Sequence, residues 1–257
     1  MSGRVGLITG SGAYDWPGLT GRPARRVTTA YGQVQVTEGE VAGVDVVHLS
    51  RHGAGHARLS NSVEHRANLR ALLDLGVDRL LSLTVCGSLD PAVPAGSLVV
   101  PDDLYFPSNR LPDGSLCTWY TEPGAPGRGH WVPDEVFSEP LRRALLDAAD
   151  AAGTPAVGGV YGHVDGPRFN TRTEHAALAA AGVTAVSQTA GPEVVLAGEA
   201  ELPVALLCYI TNGVEPEPDG VLLQRVAVSR DVLAAVVRRA LPHLGEPRPA
   251  GVVHRMG

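Results

Sequence analysis

The chain has 257 residues, 44% of them hydrophobic, which is enough to bury one large core. Its net charge of −6 and its isoelectric point near 5.8 argue against a nucleic-acid backbone or an anionic membrane as the main partner. Three scattered cysteines argue against a disulfide framework and against a C-x-x-C metal site. The sequence shows neither a signal-peptide pattern nor a membrane-length apolar run. We therefore expect a cytoplasmic protein that holds no metal.

Strand-like and helix-like patterns alternate along the chain without a linker-like break, which predicts a single α/β domain over residues 1–257. The first strand, Arg4 to Thr9, ends at Gly10-Ser11-Gly12. Backbone N–H groups and a hydroxyl in such a turn can surround an anion, although a tight turn needs glycine in any case. The third glycine of G-x-G-x-x-G is missing, so a nicotinamide or flavin site is disfavoured.

Two alternating segments, Gln33 to Glu40 and Val44 to Ser50, predict an antiparallel hairpin. The second one runs into Arg51 and His52. Arginine offers a planar fork of donors that fits a phosphate, and a neighbouring histidine can donate one more hydrogen bond. A strand-end arginine is commonly a solvated surface charge. Because the turn at Ser11 also ends a strand, both segments could face one crevice.

The next segment predicts a helix over Asn61 to Leu75 and a buried strand from Arg79 to Thr84. The strand breaks into a turn containing Cys86, which is more typical of a small buried residue than of a nucleophile. After a short strand over 97–101, a long Pro- and Gly-rich segment carries His130 and leads to a helix at Glu139 to Ala152. Long loops of this kind suit a lid or a subunit contact.

In the second half of the chain, polar residues follow the carboxyl ends of the predicted strands, which is where open α/β sheets have their ligand-binding crevice. The last helix is expected from about Asp219 to His243, followed by a frayed tail over 246–257. The elements predicted before it are a strand Val157 to Val164, a turn Gly166 to Phe169, a helix from Thr171, a strand Thr184 to Ser187, a helix opened by Gln188 to Glu193, and a strand Val204 to Ile210 ending in Thr211-Asn212.

Read together, these separated motifs resemble the trimeric purine nucleoside phosphorylases, most of all the branch of methylthioadenosine and methylthioinosine phosphorylases. The resemblance covers residues 5–241. Its marks are Gly10-Ser11-Gly12, Arg51-His52-Gly53, Ala67-Asn68, Thr84 to Leu89, Gly166 to Phe169 with Glu174, Thr189 with Pro192-Glu193, and Thr211-Asn212. It implies a central mixed, partly barrel-like β-sheet flanked by helices, a homotrimer, and no cofactor, with inorganic phosphate as co-substrate.

The resemblance implies that phosphate attacks the anomeric carbon of a purine nucleoside and releases the base and a pentose 1-phosphate. The residues carried over as phosphate-binding are Ser11, Arg51, His52, Thr84, Val85 through its backbone N–H, and Thr189. The transition state should have oxocarbenium character, so the protein mainly orients the reactants and stabilises the leaving group.

The resemblance places the purine against Cys86, Gly87, Phe169, Asn170 and Asn212. Asn212 and His52 are carried over as the catalytic residues. An asparagine at the position of Asn212 can donate to O6 and accept from N7–H, which favours 6-oxopurines, but a flipped amide could serve a 6-aminopurine. The family's methylthioadenosine enzymes carry aspartate there.

The sequence departs from the family at three substrate-binding positions. Asn170 replaces the usual glutamate or serine, Val214 replaces a second aspartate, and Gln188 replaces a methionine under the ribose. The resemblance also implies that His130 reaches the 5′ pocket of a neighbouring subunit. The substrate could therefore be a 5′-modified nucleoside.

These departures keep other interpretations open. A methylthioadenosine-type enzyme would act on 6-aminopurines, and a nucleosidase would use water, although it would not need the anion-binding residues. A non-catalytic nucleoside-binding protein on the same scaffold is a further alternative.

Overall fold

The computed structural model describes residues 3–213, 218 and 220–256. The strands, in chain order, are β1 Arg4–Thr9, β2 Thr20–Gly21, β3 Arg25–Thr29, β4 Gly32–Val41, β5 Val44–Ser50, β6 Val77–Ser88, β7 Leu98–Val99, β8 Asp103–Tyr105, β9 Gly129–Val132, β10 Ala156–Val157, β11 Val160–His163, β12 Val183–Ser187, β13 Val204–Asn212 and β14 Val252–Arg255. The α-helices are α1 His65–Asp74, α2 Glu139–Ala151, α3 Arg172–Ala180, α4 Ala190–Glu199 and α5 Val221–Ala240.

Within the described residues, one mixed sheet of twelve strands forms the centre of the molecule. Its middle is the order β13-β6-β1-β5, in which every neighbouring pair is parallel. Strand β6 also pairs antiparallel with β12 at its carboxyl end, so the sheet branches there. From β12 the pairing continues through β11 to β8, and β7, which precedes β8, pairs with β13. The predicted partly barrel-like sheet is therefore confirmed.

Two apolar layers hold helices against the sheet. Alternation along the strands sends Leu81 and Leu207 to one face, where they pack with α2 and α5, and sends Leu80 and Leu206 to the other face, where α1 and α4 pack. Each strand of the middle is covered on both sides, which explains its nearly continuous apolar sequence. The predicted α/β class with flanking helices is confirmed.

Several helix and strand boundaries differ from those predicted from the sequence. The strand predicted to end at Thr84 continues to Ser88, because β6 stays paired with β13 as far as Gly87. The helix predicted from Asn61 begins at His65, after a 3-10 turn over Ser60–Ser62. The strand predicted over 97–101 is limited to β7, and the one over 157–164 divides into β10 and β11.

Residues 102–138, expected to be irregular, contain β8 and β9. Strand β9 pairs antiparallel with β14, which lies in the carboxyl-terminal tail. The expectation of a frayed tail is therefore wrong for residues 252–255, and Val253 of this strand is buried. Asp219, the predicted start of the last helix, lies outside the described residues. Of the helices that the structure describes, none combines the length and the apolarity needed to cross a bilayer.

Candidate active site

A cavity of about 390 Å³ opens at the carboxyl ends of β1, β6, β12 and β13. The loops that follow the parallel strands all begin at this edge of the sheet, so residues distant in sequence meet there. The predicted site residues that line it are Ser11, His52, Thr84, Val85, Cys86, Gly87, Phe169, Asn170, Gln188, Thr189 and Asn212. Arg51 and His130 do not line it, and Val214 lies outside the described residues.

One end of the cavity is formed by the turn after β1. Gly12 has a φ of 82°, a conformation that L side chains rarely adopt. A Cβ on Gly12 would lie 2.7 Å from the carbonyl oxygen of Val226, and a Cβ on Gly10 would lie 2.8 Å from Nη1 of Arg51. Both glycines are thus required by close approach, and Ser11 between them lines the cavity.

Arg51 lies beneath this turn rather than at the cavity surface. Its Nε and Nη2 donate to Glu193 at 2.5 and 2.8 Å, Nη2 also donates to the hydroxyl of Ser82, and Nη1 donates to the carbonyl of Leu83. Both charged side chains are fully buried. Burial opposes the charged form of Arg51, but the Glu193 carboxylate raises the pKa of Arg51 above its ordinary value. Arg51 therefore has no surface exposed to the cavity, and its role as a phosphate ligand stays a prediction.

His52 does line the cavity, as do Ser11 and Thr84, and the strands that precede or contain these three residues, β5, β1 and β6, are neighbours in the sheet. Its Nδ1 lies 2.9 Å from the carbonyl oxygen of Arg58, and its ring stacks on His56 with 4.2 Å between centroids. Burial, reinforced by the charge of Arg51, lowers the pKa of His52 to about 4. The imidazole is therefore neutral at physiological pH.

Thr189 precedes α4, so the helix amino terminus points at the same end of the cavity. The first helical N–H, on Ala190, donates to the hydroxyl of Tyr161 at 3.1 Å. The Thr84 hydroxyl donates to the carbonyl of Val85 at 3.2 Å and lies 3.4 Å from the hydroxyl of Ser187. Both contacts are long, so a ligand can replace them. Hydroxyls and a helix amino terminus together form an arrangement that can bind an anion.

Another part of the cavity wall is formed by the carboxyl end of β13. Asn212 Nδ2 donates to the carbonyl of Gly213 at 3.1 Å. The single hydroxyl hydrogen of Thr211 is shared between Asn212 Oδ1, at 3.0 Å, and the carbonyl oxygen of Cys86, at 3.2 Å. A carbonyl can only accept, so the Gly213 oxygen requires the amide nitrogen of Asn212 on its side. The orientation of this amide is therefore determined by its neighbours. A Cβ on Gly87 would lie 3.2 Å from Asn212 Nδ2, so glycine gives the amide room.

The loop before α3 also lines the cavity. Arg168 donates to both carboxylate oxygens of Glu174, and Glu174 also accepts from the backbone of Thr171 in a capping box. These contacts present Phe169, which is 70% exposed, and Asn170 to the cavity. Hydrogen bonds from Arg168 lower the pKa of Glu174 to about 2.

Gln188 connects the loop to the rest of the site. Its Nε2 donates to the carbonyl of Arg168 at 2.8 Å, and its Oε1 accepts from the hydroxyl of Ser60 at 2.8 Å. A Cβ on Gly166 would lie 2.1 Å from both Oε1 of Gln188 and Oγ of Ser60, so the loop passes closely over this pair. One Nε2 hydrogen remains available to a ligand.

Sequence reasoning missed several wall residues. Tyr14 and His56 line the cavity and bond each other at 2.9 Å through the Tyr14 hydroxyl and His56 Nδ1. Leu222, Leu223 and Val226 line it from the first turns of α5. The apolar spacing of α5 predicts core residues, and only the position of the helix start over the cavity shows that these have another role. His56, four residues after His52, was a visible signal.

His130 lies on β9, exposed and directly opposite His254 of β14. It is not part of this chain's cavity, so its predicted role in a neighbouring subunit stays a prediction. Among the described residues, no group of three or more histidine, cysteine, aspartate or glutamate side chains is arranged to hold a metal ion.

The profile of the phosphorylase superfamily matches residues 4–242. The chain belongs to this superfamily. A probable 6-oxopurine nucleoside phosphorylase of Thermococcus kodakarensis is 38% identical over 83% of this chain and 81% of its own length. An S-methyl-5′-thioadenosine phosphorylase of Bradyrhizobium diazoefficiens is 32% identical over 96% of this chain and 87% of its own length.

The fold agrees with this assignment. The crystal structure of a methylthioadenosine phosphorylase from Schistosoma mansoni in complex with adenine superposes with a TM-score of 0.84 at 30% identity, covering 94% of this chain and 91% of that one. The predicted resemblance to the nucleoside phosphorylases is confirmed, and purine nucleoside phosphorolysis is consistent with both groups of superfamily relatives.

Proposed function

We propose that this member of the phosphorylase superfamily cleaves a 6-oxopurine nucleoside with inorganic phosphate, releasing the free base and a pentose 1-phosphate, without a metal or an organic cofactor. The observation that carries the base preference is the orientation of Asn212. With Nδ2 held by Gly213 and Oδ1 by Thr211, one N–H and one lone pair remain. These match O6 and N7–H of a 6-oxopurine.

The cavity supports a division of roles. Hydroxyls of Ser11, Thr84 and Thr189 and the amino terminus of α4 would hold phosphate, with the backbone N–H of Val85. A phosphate oxygen attacks C1′ as the C1′–N9 bond breaks, the electron pair of that bond moves into the purine, and N7 takes up a proton from solvent water. Asn212 stabilises the leaving base by accepting from N7–H and donating to O6, interactions that strengthen as charge develops.

The other residues of the cavity wall would contact the sugar. Leu222, Leu223 and Val226 present apolar surface, while Gln188 offers one N–H. With the base and phosphate at the two ends, this apolar wall would face the 5′ position, which favours a small apolar 5′ substituent. The same wall favours a second candidate, a 5′-methylthio nucleoside of the 6-amino class, such as the one named for the Bradyrhizobium relative.

Assembly and location remain proposals. Phe169 and Leu223, both more than two-thirds exposed, lie at the cavity and would be covered by a neighbouring subunit. This supports the predicted homotrimer, in which His130 would serve a neighbour's cavity. The net charge of −6 supports small-molecule partners rather than nucleic acid, and a cytoplasmic location is proposed with them.

The test is base release from inosine, guanosine, adenosine, methylthioinosine and methylthioadenosine, each with and without phosphate. We expect phosphate-dependent cleavage with the 6-oxopurines ahead of the 6-aminopurines. Equal release without phosphate would indicate a nucleosidase and overturn the proposal. Tight binding of all five without turnover would indicate a binding protein.

Asn212→Asp tests the base preference directly. A carboxylate cannot donate to O6 but can accept from a 6-amino group, so the adenosine-to-inosine ratio of kcat/KM should rise by about tenfold or more. Asn170→Asp, which makes the same change on the neighbouring loop, is the matched control and should shift the ratio less. An unchanged ratio in Asn212→Asp would show that another residue recognises position 6.

A further inference from the structure

The hydrogen bond to Arg58 determines which nitrogen of His52 carries the proton. The Arg58 carbonyl oxygen, 2.9 Å from Nδ1, can only accept, so Nδ1 must be the protonated nitrogen. In the neutral ring, Nε2 then holds a lone pair. Nε2 has no hydrogen-bond partner among the residues that the structure describes. The ring lines the same cavity as Ser11 and Thr84, and the strands that precede or contain these three residues, β5, β1 and β6, are neighbours in the sheet.

The groups around His52 oppose a second proton. The guanidinium of Arg51 is the adjacent charge, and the ring of His56 stacks on the imidazole. Glu193 favours protonation, but its carboxylate accepts three hydrogen bonds from Arg51 and Ser82. Burial and the charge of Arg51 both disfavour the protonated ring, and together they lower the pKa of His52 to about 4.

We propose that Nε2 of His52 accepts a hydrogen bond from the P–O–H group of bound phosphate, and that this contact makes the site select anions that carry such a proton. The inference rests on the phosphate site proposed above. It reverses the sequence-based expectation that His52 donates. Hydrogen phosphate has one O–H, so His52 would orient it and leave the three unprotonated oxygens to the hydroxyls of Ser11, Thr84 and Thr189 and to attack on C1′.

The chemistry predicts which anions are rejected. Sulfate has the shape and charge of hydrogen phosphate but carries no proton at pH 7.5, so a sulfate oxygen would place its lone pairs against the lone pair of Nε2. Arsenate keeps one O–H at that pH and satisfies the same contact. A site that must pair a buried acceptor discriminates strongly against a ligand lacking the donor.

The experiment measures phosphate KM, arsenate KM and the competitive inhibition constant of sulfate at pH 7.5 with one 6-oxopurine nucleoside. We expect arsenate within a few-fold of phosphate and sulfate weaker by at least about tenfold. In His52→Gln, the amide N–H can donate to sulfate, so the ratio of sulfate inhibition constant to phosphate KM should fall by at least about fivefold. His243→Gln, the same change at an exposed histidine, should leave the ratio unchanged.

The outcomes separate this inference from the proposed function. Wild-type protein without phosphate-dependent turnover would contradict the function itself. Turnover with sulfate competing as strongly as arsenate would show that Nε2 carries a proton in the complex and would overturn the role of His52. That wild-type comparison needs no variant, so it decides the question even if His52→Gln folds poorly. An unchanged ratio in a folded His52→Gln protein would also overturn it.

Discussion

Two arginine–glutamate pairs support the cavity wall in opposite environments. Arg51 and Glu193, beneath the phosphate end, are fully buried, and the hydroxyl of Ser82 shares the same network. Arg168 and Glu174, on the loop at the base end, are both exposed. The geometry of the contacts is similar, since each arginine donates through two nitrogens to both carboxylate oxygens.

The difference teaches where the site is rigid. A buried pair must remain intact because either charge alone would be desolvated without compensation, whereas an exposed pair is replaced by water at little cost. The proposed phosphate end is thus built on a buried ion pair, and the proposed base end on a loop held by a solvent-exposed one. This suits a site in which a small invariant anion enters one end and a larger nucleoside enters the other.

The largest expected effect is acid destabilisation of the buried side. Burial lowers the pKa of His48 and His52 to about 4 and of His65 and His163 to about 3. Because these folded-state values are below the unfolded value of about 6.5, the unfolded chain binds more protons and stability falls as pH drops. Each histidine contributes about 1.4 kcal/mol per pH unit between pH 6.5 and its folded pKa.

Urea unfolding from pH 7.5 to 4.5 measures this dependence. The free energy of unfolding should be nearly level above pH 7 and fall steeply below pH 6.5. His65→Phe removes a ring whose two nitrogens have no hydrogen-bond partner in the described part of the chain, and should lower the slope by about 1.4 kcal/mol per pH unit. A level profile between pH 6.5 and 5 would contradict the assignment of neutral buried histidines.

The next effect comes from breaking the buried pair. Glu193→Gln leaves Arg51 as an uncompensated buried cation and should lower the free energy of unfolding by about 3–5 kcal/mol in chemical denaturation. Replacing both partners, with Arg51→Met and Glu193→Leu, should recover much of that loss because no charge is left buried. The double variant also tests Arg51 in binding. A phosphate KM raised about tenfold or more would show that its charge acts on phosphate, and an unchanged KM would limit it to stability.

The sequence predicted the fold class and most elements, and through its resemblance to the nucleoside phosphorylases it predicted eleven residues of the cavity wall. Strand ends and glycine turns are local signals, which is why the anion-binding turn at Ser11 and the strand end at His52 could be predicted from the residues themselves. The sequence could not show that Arg51 is held beneath the cavity wall by Glu193, which is 142 positions away in the chain. Likewise, β14 was missed because its pairing with β9 is non-local and its Pro- and Gly-rich surroundings are typical of a tail. The tautomer of His52 depends on one carbonyl, at Arg58, that no pattern identifies.

The smallest expected effect is at the exposed pair, and it is the matched counterpart of Glu193→Gln. Glu174→Gln removes one charge at the surface, where water and salt already screen it, so the free energy of unfolding should change by less than about 1 kcal/mol. The same carboxylate also accepts from the backbone of Thr171 and positions Arg168, whose carbonyl holds Gln188. Loosening this loop should therefore raise the nucleoside KM a few-fold while leaving the phosphate KM unchanged. Steady-state kinetics with each substrate varied in turn checks this, and an equal rise in both KM values would show that the two ends of the cavity are not independent.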